Sequence, residues 1–300
     1  MHPLPVDFVH NIEHSFEDEG KAWLQALPFL LEQVADRWGL TLGEPFLLSY
    51  NYVCAARDAQ GLELVLKLGV PNPELTSEIE AMTLYDGRGA ARLIASDAEH
   101  GLLLEERLQP GTMLLEVQDD AEATEIAAGV MRSLWRPAPA QNRLIQLTDW
   151  FKAFEAYRRE FGSTGPLPER VIATAEGLVA DFFSENESPV VLHGDFHHYN
   201  LLKSGDVWKV VDAKGVIGPR GYEVGPLLVN PQEGFLQGAD AKQITERRFA
   251  ILSEQLGMER SRIRGWGIAH AALSACWSLD EHGHGGEDAV YCADVFLSLR

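Results

Sequence analysis

Apolar positions recur along the first forty residues at helical spacing, with Trp23, Leu27, Leu30, Leu31, Val34 and Trp38 on one face. This pattern predicts an amphipathic helix over residues 17–38, broken or restarted at Pro28. The periodicity then shortens to that of strands. Runs at Phe46–Tyr50, Tyr52–Arg57 and Leu62–Leu68 predict a meander, with Asp58-Ala59-Gln60-Gly61 turning between the last two. After Pro71 and Pro73, the segment Glu74–Asp86 reads as a helix closed by Gly87 and Gly89. Two further strands are expected at Ala91–Ala95 and Leu102–Leu108, which makes five.

Beyond Gln109-Pro110-Gly111 the texture becomes helical, with periods over Asp120–Trp135, Asp149–Phe161, Glu169–Ser184 and three more segments after residue 240. The aromatic stripe Trp150, Phe154, Tyr157 and Phe161 is expected in the core. One stretch, residues 190–218, departs from this texture. It is apolar, then dense in His, Asp and Asn, then strand-like again, and it carries the candidate chemistry.

In that stretch Val190-Val191-Leu192 leads into HGDFHHYN (193–200). Two apolar runs around Ser204-Gly205-Asp206 follow and predict a β-hairpin ending at Asp212. Folding the hairpin back brings Asn200, at the start of one strand, near Asp212, at the end of the other. An amide oxygen beside a carboxylate suits a hard cation such as Mg²⁺. Asp195 precedes Asn200 in the entering loop, where a carboxylate could take a proton from an attacking hydroxyl while the metal bridges phosphate oxygens. The Asp-x₄-Asn spacing matches the catalytic loop of protein kinases, and Asp212-Ala213-Lys214-Gly215 stands where those enzymes carry D-F-G. His193 is grouped with Asp195 as catalytic, chiefly as a hydrogen-bonder that holds the loop.

A kinase reading requires a lysine on an earlier strand and a glutamate on the next helix. Lys67 lies in the apolar run LVLKL (64–68), where a buried ammonium needs a partner or an anionic ligand. Glu78 and Glu80 follow on the helix, and Glu78 is the preferred partner. Backbone groups near Glu106 and Leu108 are expected to hold adenine.

The segments LSYNYV (48–53), LVLKL (64–68), EIEAMTLYDGRGAARL (78–93), LLLEERLQPGTML (102–114), HGDFHHYNLL (193–202) and VVDAKGVIG (210–218) together resemble the aminoglycoside phosphotransferases, in their branch of streptomycin 6-kinases and hydroxyurea kinases. The resemblance implies an α+β, protein-kinase-like bilobal fold. The N-terminal lobe would occupy residues 1–108, with helices, a five-stranded antiparallel sheet and one helix; the mainly helical C-terminal lobe would occupy residues 109–300. It implies ATP and Mg²⁺ as cofactors and transfer of the γ-phosphate to a hydroxyl of a small molecule such as an aminoglycoside or hydroxyurea. By position, Asp195 is similar to the family's base, Asn200 and Asp212 to its metal ligands, and Lys67 to its phosphate lysine. The loop Ser49-Tyr50-Asn51 has no glycine, so the side chains of Ser49 and Asn51 are the expected phosphate donors. Glu223, Asp280 and Glu281 are the candidate acceptor contacts.

Composition narrows this picture. There are 25 Lys and Arg against 45 Asp and Glu, a formal net charge of -20, which disfavours nucleic acid and anionic membrane surfaces and favours a cationic acceptor. Three isolated cysteines suggest neither a disulfide framework nor a thiolate metal site. With no leader-like start and no spanning apolar segment, a cytoplasmic location is expected. Two rival readings use the same residues. A metal-dependent phosphoesterase would gather His193, Asp195, His197, His198, His282 and His284, and a pseudokinase would bind nucleotide without transfer.

Overall fold

A computed structural model describes residues 3–185, 187–231 and 240–299, with all of their side chains except those of Glu281 and His282. The chain opens with α1 (Val6–Trp38), which breaks at Glu17 (φ 46°, ψ -123°) rather than at Pro28. Proline costs the helix one hydrogen bond, but Leu27 and Leu31 beside it are buried, and that packing carries the helix through. At the real break the two arms of α1 fold close together, and Gly20 is needed because a Cβ there would collide with the Ile12 carbonyl.

The sheet follows in chain order: β1 (Thr41–Pro45), β2 (Tyr52–Arg57), β3 (Glu63–Leu68), then α2 (Pro73–Tyr85), β4 (Leu93–Asp97) and β5 (Leu102–Glu106). All neighbours are antiparallel, in the order β1-β2-β3-β5-β4. The first strand therefore lies before the predicted run at Phe46–Tyr50, which is instead the loop from β1 to β2. Its apolar residues mimic a strand, but Leu47 is 97% exposed and only Leu48 is buried.

Side-chain alternation decides what the sheet does. Leu64, Leu66 and Leu68 with Leu102 and Leu104 pack against α1, in one core with Phe8, Ile12 and Leu27. The intervening Val65, Lys67, Leu103 and Glu105 face the other way, in the register Val65↔Glu105 and Lys67↔Leu103. Leu103 packs on Leu75 and Ile79 of α2, and the rest look into the cleft between the lobes. Asn72 caps α2 by accepting the Leu75 N–H at 3.0 Å, and Asp86 ends it in the left-handed conformation.

The second lobe contains β6 (Pro110–Met113), α3 (Asp120–Leu134), β7 (Arg136–Pro137), β8 (Ile145–Gln146), α4 (Leu147–Trp150), α5 (Lys152–Phe161), α6 (Glu169–Ser184), β9 (Val190–Leu192), β10 (Leu201–Ser204), β11 (Val207–Val210), β12 (Val216–Gly218), α7 (Val224–Leu228), α8 (Ala241–Leu256), α9 (Arg260–His282) and α10 (Glu287–Ser298). The predicted hairpin is β10–β11, with Leu201 opposite Val210 and Ser204 opposite Val207. The predicted helix Asp149–Phe161 is divided at Phe151 into α4 and α5. Trp266 on α9 is fully buried among Phe151, Phe182 and Tyr222 and centres the helical core. Among the described residues, no helix is long and apolar enough to cross a membrane, and Cys54, Cys276 and Cys292 are free and buried.

The segment from α2 to β4 clamps the lobes together. Ser77 Oγ donates to the Gly215 carbonyl and accepts the Ile145 N–H at 3.0 Å, while Ala91 N–H donates to the Val210 carbonyl at 2.8 Å. Because Leu27 is fully buried between α1 and the sheet, Leu27→Ala is expected to lower unfolding free energy by about 2–5 kcal/mol in urea titrations with an unchanged slope. A loss below about 1 kcal/mol would mean that α1 is not part of the folding core.

Candidate active site

Lys67 is the only cation of β3, 5% exposed, and its Nζ lies 2.7 Å from both carboxylate oxygens of Glu78 and in contact with Asp212 Oδ1. The expected partner on α2 is therefore Glu78; Glu80 instead accepts the Arg143 N–H at 2.8 Å. Burial would discharge the ammonium, but Asp212 and Glu78 outweigh it and hold Lys67 protonated. In turn, Lys67 holds the Asp212 carboxyl far below the usual carboxylate range. Asp212 adopts φ 60°, a left-handed turn just past β11 that swings its carboxylate toward Lys67.

The loop that carries Asp195 is held from behind. Glu223, fully buried, accepts the N–H of His193 at 2.9 Å and of Gly194 at 3.0 Å. His193 is also fully buried; its Nε2 donates to the Val211 carbonyl at 2.9 Å and its Nδ1 accepts the Asp195 N–H at 3.2 Å. Burial lowers this imidazole to about 4, which keeps it neutral. With both ring nitrogens committed, His193 is a positioning residue and not an acid or base. Asp195 remains accessible, its side chain 37% exposed, with His197 Nε2 3.3 Å from Oδ1. Burial alone would raise its pKa, but His197, Lys214 and His193 together hold it well below the carboxylate range. Asn200 Nδ2 donates to the Asp195 carbonyl at 3.0 Å, which leaves the amide oxygen as the atom able to bind a cation. The backbone bond from Val211 N–H to Asn200 O, 3.0 Å, sets Asn200 beside the exit to Asp212. Two oxygen donors, one just before β10 and one just past β11, fit Mg²⁺, which takes few protein ligands and keeps the rest for water and phosphate.

Two cavities meet at this loop. One, of about 480 Å³, is lined by six of the residues expected at the nucleotide or metal: Ser49, Asn51, Lys67, Glu106, Leu108 and Asp212. Val53 and Val65 form one apolar wall and Leu202 and Val211 another. Glu106 Oε1 accepts from Lys209 and from the Arg92 N–H at 2.9 Å, and the Glu106 N–H donates to the Arg92 carbonyl at 2.9 Å. The other cavity, of about 460 Å³, contains Asp195 with Lys214, Glu74, Trp150, His270, Trp277 and Asp280. The two indoles meet edge to face at 5.4 Å.

Of the candidate acceptor contacts, Asp280 lines this second cavity. Glu223 does not, because it is buried beneath the loop it braces; the side chain of Glu281 lies outside the described residues. Trp150, expected in the core with Phe154 and Tyr157, is also a cavity wall. Glu74, Lys214, His270 and Trp277 were missed. Lys214 had a local signal, two residues after Asp212, whereas the others are assembled from α2 and α9. For the phosphoesterase alternative, no three His, Cys, Asp or Glu side chains among the described residues are grouped to hold a metal, and His198 is buried 3.5 Å from Arg248.

A two-lobed fold with a lysine–glutamate pair on the sheet side and an Asp/Asn loop with a following aspartate on the helical side defines a small-molecule kinase, a phosphotransferase acting on a hydroxyl group. The chain belongs to the aminoglycoside/hydroxyurea antibiotic resistance kinase family, whose model matches residues 42–283. It is 29% identical over 282 residues to a streptomycin 6-kinase of Streptomyces glaucescens, covering 93% of this chain and 91% of that one. It is 29% identical over 270 residues to a hydroxyurea phosphotransferase of Kitasatospora aureofaciens, covering 87% and 76%. A solved amicoumacin kinase, in complex with AMP-PNP, Ca²⁺ and Ami, shares the fold with a TM-score of 0.62 at 13% identity, covering 90% of this chain and 93% of that one.

Glu105 supplies a pH test of the cleft. Burial, followed by repulsion from Glu78, pushes its carboxyl up to about 8; Asp212 and Glu106 add to this and Lys67 opposes it. Its folded pKa lies above the unfolded value of about 4.3, so its contribution to stability is complete at low pH and is lost as pH rises toward 8. Glu105→Gln removes that loss. Its melting temperature is expected to rise progressively above that of the wild type between pH 5 and pH 8; a constant difference would show that Glu105 does not titrate in that window.

Proposed function

We propose that this kinase transfers the γ-phosphate of ATP to a hydroxyl of a small cationic molecule, with streptomycin and other aminoglycosides the first candidates and hydroxyurea the neutral alternative. The observation that carries the reading is the placement of Asp195 in one cavity and of Lys67 with Asp212 in the adjoining one, on either side of a single loop. The larger apolar slot suits a purine, and Lys67, Ser49 and Asn51 lie at its polar end to receive phosphates. Asn200 and Asp212 would hold Mg²⁺, which when bound supplies charge neutralisation for the phosphate oxygens.

In the transfer, the acceptor oxygen forms a bond to the γ-phosphorus as the bond to the β,γ-bridging oxygen breaks, and ADP leaves with that electron pair. The hydroxyl proton passes to the Asp195 carboxylate. A carboxylate held well below the usual range accepts this proton only as the oxygen bonds to phosphorus, which suits a loose transition state. Glu223 and His193 keep the carboxylate in place. In the acceptor cavity, the indoles of Trp150 and Trp277 with the carboxylates of Glu74 and Asp280 favour an aminated or guanidinylated ligand through cation–π contacts and ion pairing. The streptomycin 6-kinase relative supports the same acceptor class, and the hydroxyurea phosphotransferase supports the neutral alternative.

The test is ATP turnover with Mg²⁺ against streptomycin, other aminoglycosides, hydroxyurea and sugar alcohols. Acceptor-dependent ADP release is expected, lost on chelation and restored by Mg²⁺. Asp195→Asn is expected to lower kcat by about 10²- to 10⁴-fold while leaving nucleotide affinity nearly unchanged. Full turnover by the variant would remove Asp195 from the role of base, and chelator-resistant turnover would remove the metal.

A further inference from the structure

Within the strand LLLEE (102–106), Glu105 projects from the cleft face of β5, in register with Val65 and on the same side of the sheet as Lys67. It is 5% exposed, it lines the nucleotide cavity, and its Oε1 has no hydrogen-bond partner. Its neighbours in sequence differ. Glu106 is taken up by Lys209 and the Arg92 N–H, and Arg107 donates to Glu63 at 3.0 Å. A buried carboxyl oxygen without a partner is costly, so a ligand group that completes it gains more than the same contact would in water.

Position indicates which group. Lys67 and Asp212 mark the phosphate end of the cavity. Glu105 stands one strand over and two residues further along the sheet, about 7 Å in the strand direction, beside the apolar walls formed by Val53, Val65, Leu202 and Val211. That is the end where a flat base would lie. In either protonation state the carboxyl offers an oxygen as acceptor. Oε1 is the acceptor that the protein itself leaves without a partner.

Resting on the reading of this cleft as a nucleotide site, we propose that Glu105 is a specificity residue that accepts a hydrogen bond from the exocyclic 6-amino group of adenine. It thereby selects ATP over a purine triphosphate that lacks the amino group at that position. The backbone near Glu106 and Leu108 serves the ring edge, and Glu105 adds a side-chain reading of the substituent.

Direct titration of Mg²⁺ complexes of ATP and purine riboside triphosphate into wild type, Glu105→Gln and Glu105→Met tests this without any acceptor. Wild type is expected to bind ATP at least about tenfold more tightly than purine riboside triphosphate. Glu105→Gln, which keeps an acceptor oxygen and the side-chain shape, should retain the preference over purine riboside triphosphate. Glu105→Met should bring ATP and purine riboside triphosphate within about twofold, chiefly by weakening ATP. ATP binding without discrimination in the wild type, or full discrimination in Glu105→Met, overturns the role of Glu105 and leaves the nucleotide site standing. Failure of wild type to bind any triphosphate overturns both.

Discussion

One buried ammonium organises this molecule. Lys67 meets Glu78 from α2 and Asp212 from the loop after the β10–β11 hairpin, and so joins a strand, a helix and the second lobe in a single ionic contact. Burying a charge is unfavourable unless it is paired, and removing one partner leaves the others uncompensated. The alternation of β3 turns Lys67 into the cleft, the Asn72 cap fixes where α2 starts, and the left-handed turn at Asp212 aims the third member. Each local feature is needed for the same contact. The cluster of Lys67, Glu78 and Asp212 carries a net negative charge, which opposes the global requirement of a polyphosphate. Lys214 and a divalent cation at Asn200 and Asp212 are the means by which such a site would accept one.

The Asp195 side of the cleft shows the complementary design. Asp195 is accessible, while the groups behind it are dry: Glu223 takes two backbone N–H groups of the loop, and a neutral His193 bridges the loop to Val211. Rigid backbone contacts fix the loop, while the carboxylate itself touches His197 Nε2 at 3.3 Å and Asn200 Nδ2 at 3.5 Å. The cavity in front of it is lined from α2, α4, α9 and the loop itself, so its chemistry can change through α9 while the loop and the Lys67 cluster stay constant. The acidic composition of the chain and the carboxylates at Glu74 and Asp280 act in the same direction on a cationic ligand.

Much of this was legible in the sequence where local pattern and chemistry coincide. The hairpin, the helix Glu169–Ser184 and the pairing of Lys67 with Glu78 follow from periodicity, turn residues and the cost of a buried lysine. The first strand was misplaced because Phe46-Leu47-Leu48 looks like a buried run, yet only Leu48 finds the core. The break in α1 was assigned to Pro28 because proline is the visible breaker, whereas tertiary packing decided that it falls at Glu17. Glu223 was assigned to the acceptor because a carboxylate gives no sign in sequence of whether it faces ligand or backbone. The acceptor cavity itself joins residues from Glu74 to Asp280, and no local spacing records a contact of that range.

Titration of a hydrolysis-resistant ATP analogue with Mg²⁺ into wild type and Lys67→Met tests the central role of the ammonium most directly. The account predicts one-site binding by the wild type and affinity weakened by about tenfold or more in a variant whose circular dichroism shows it still folded. Equal affinity in the two proteins would contradict it.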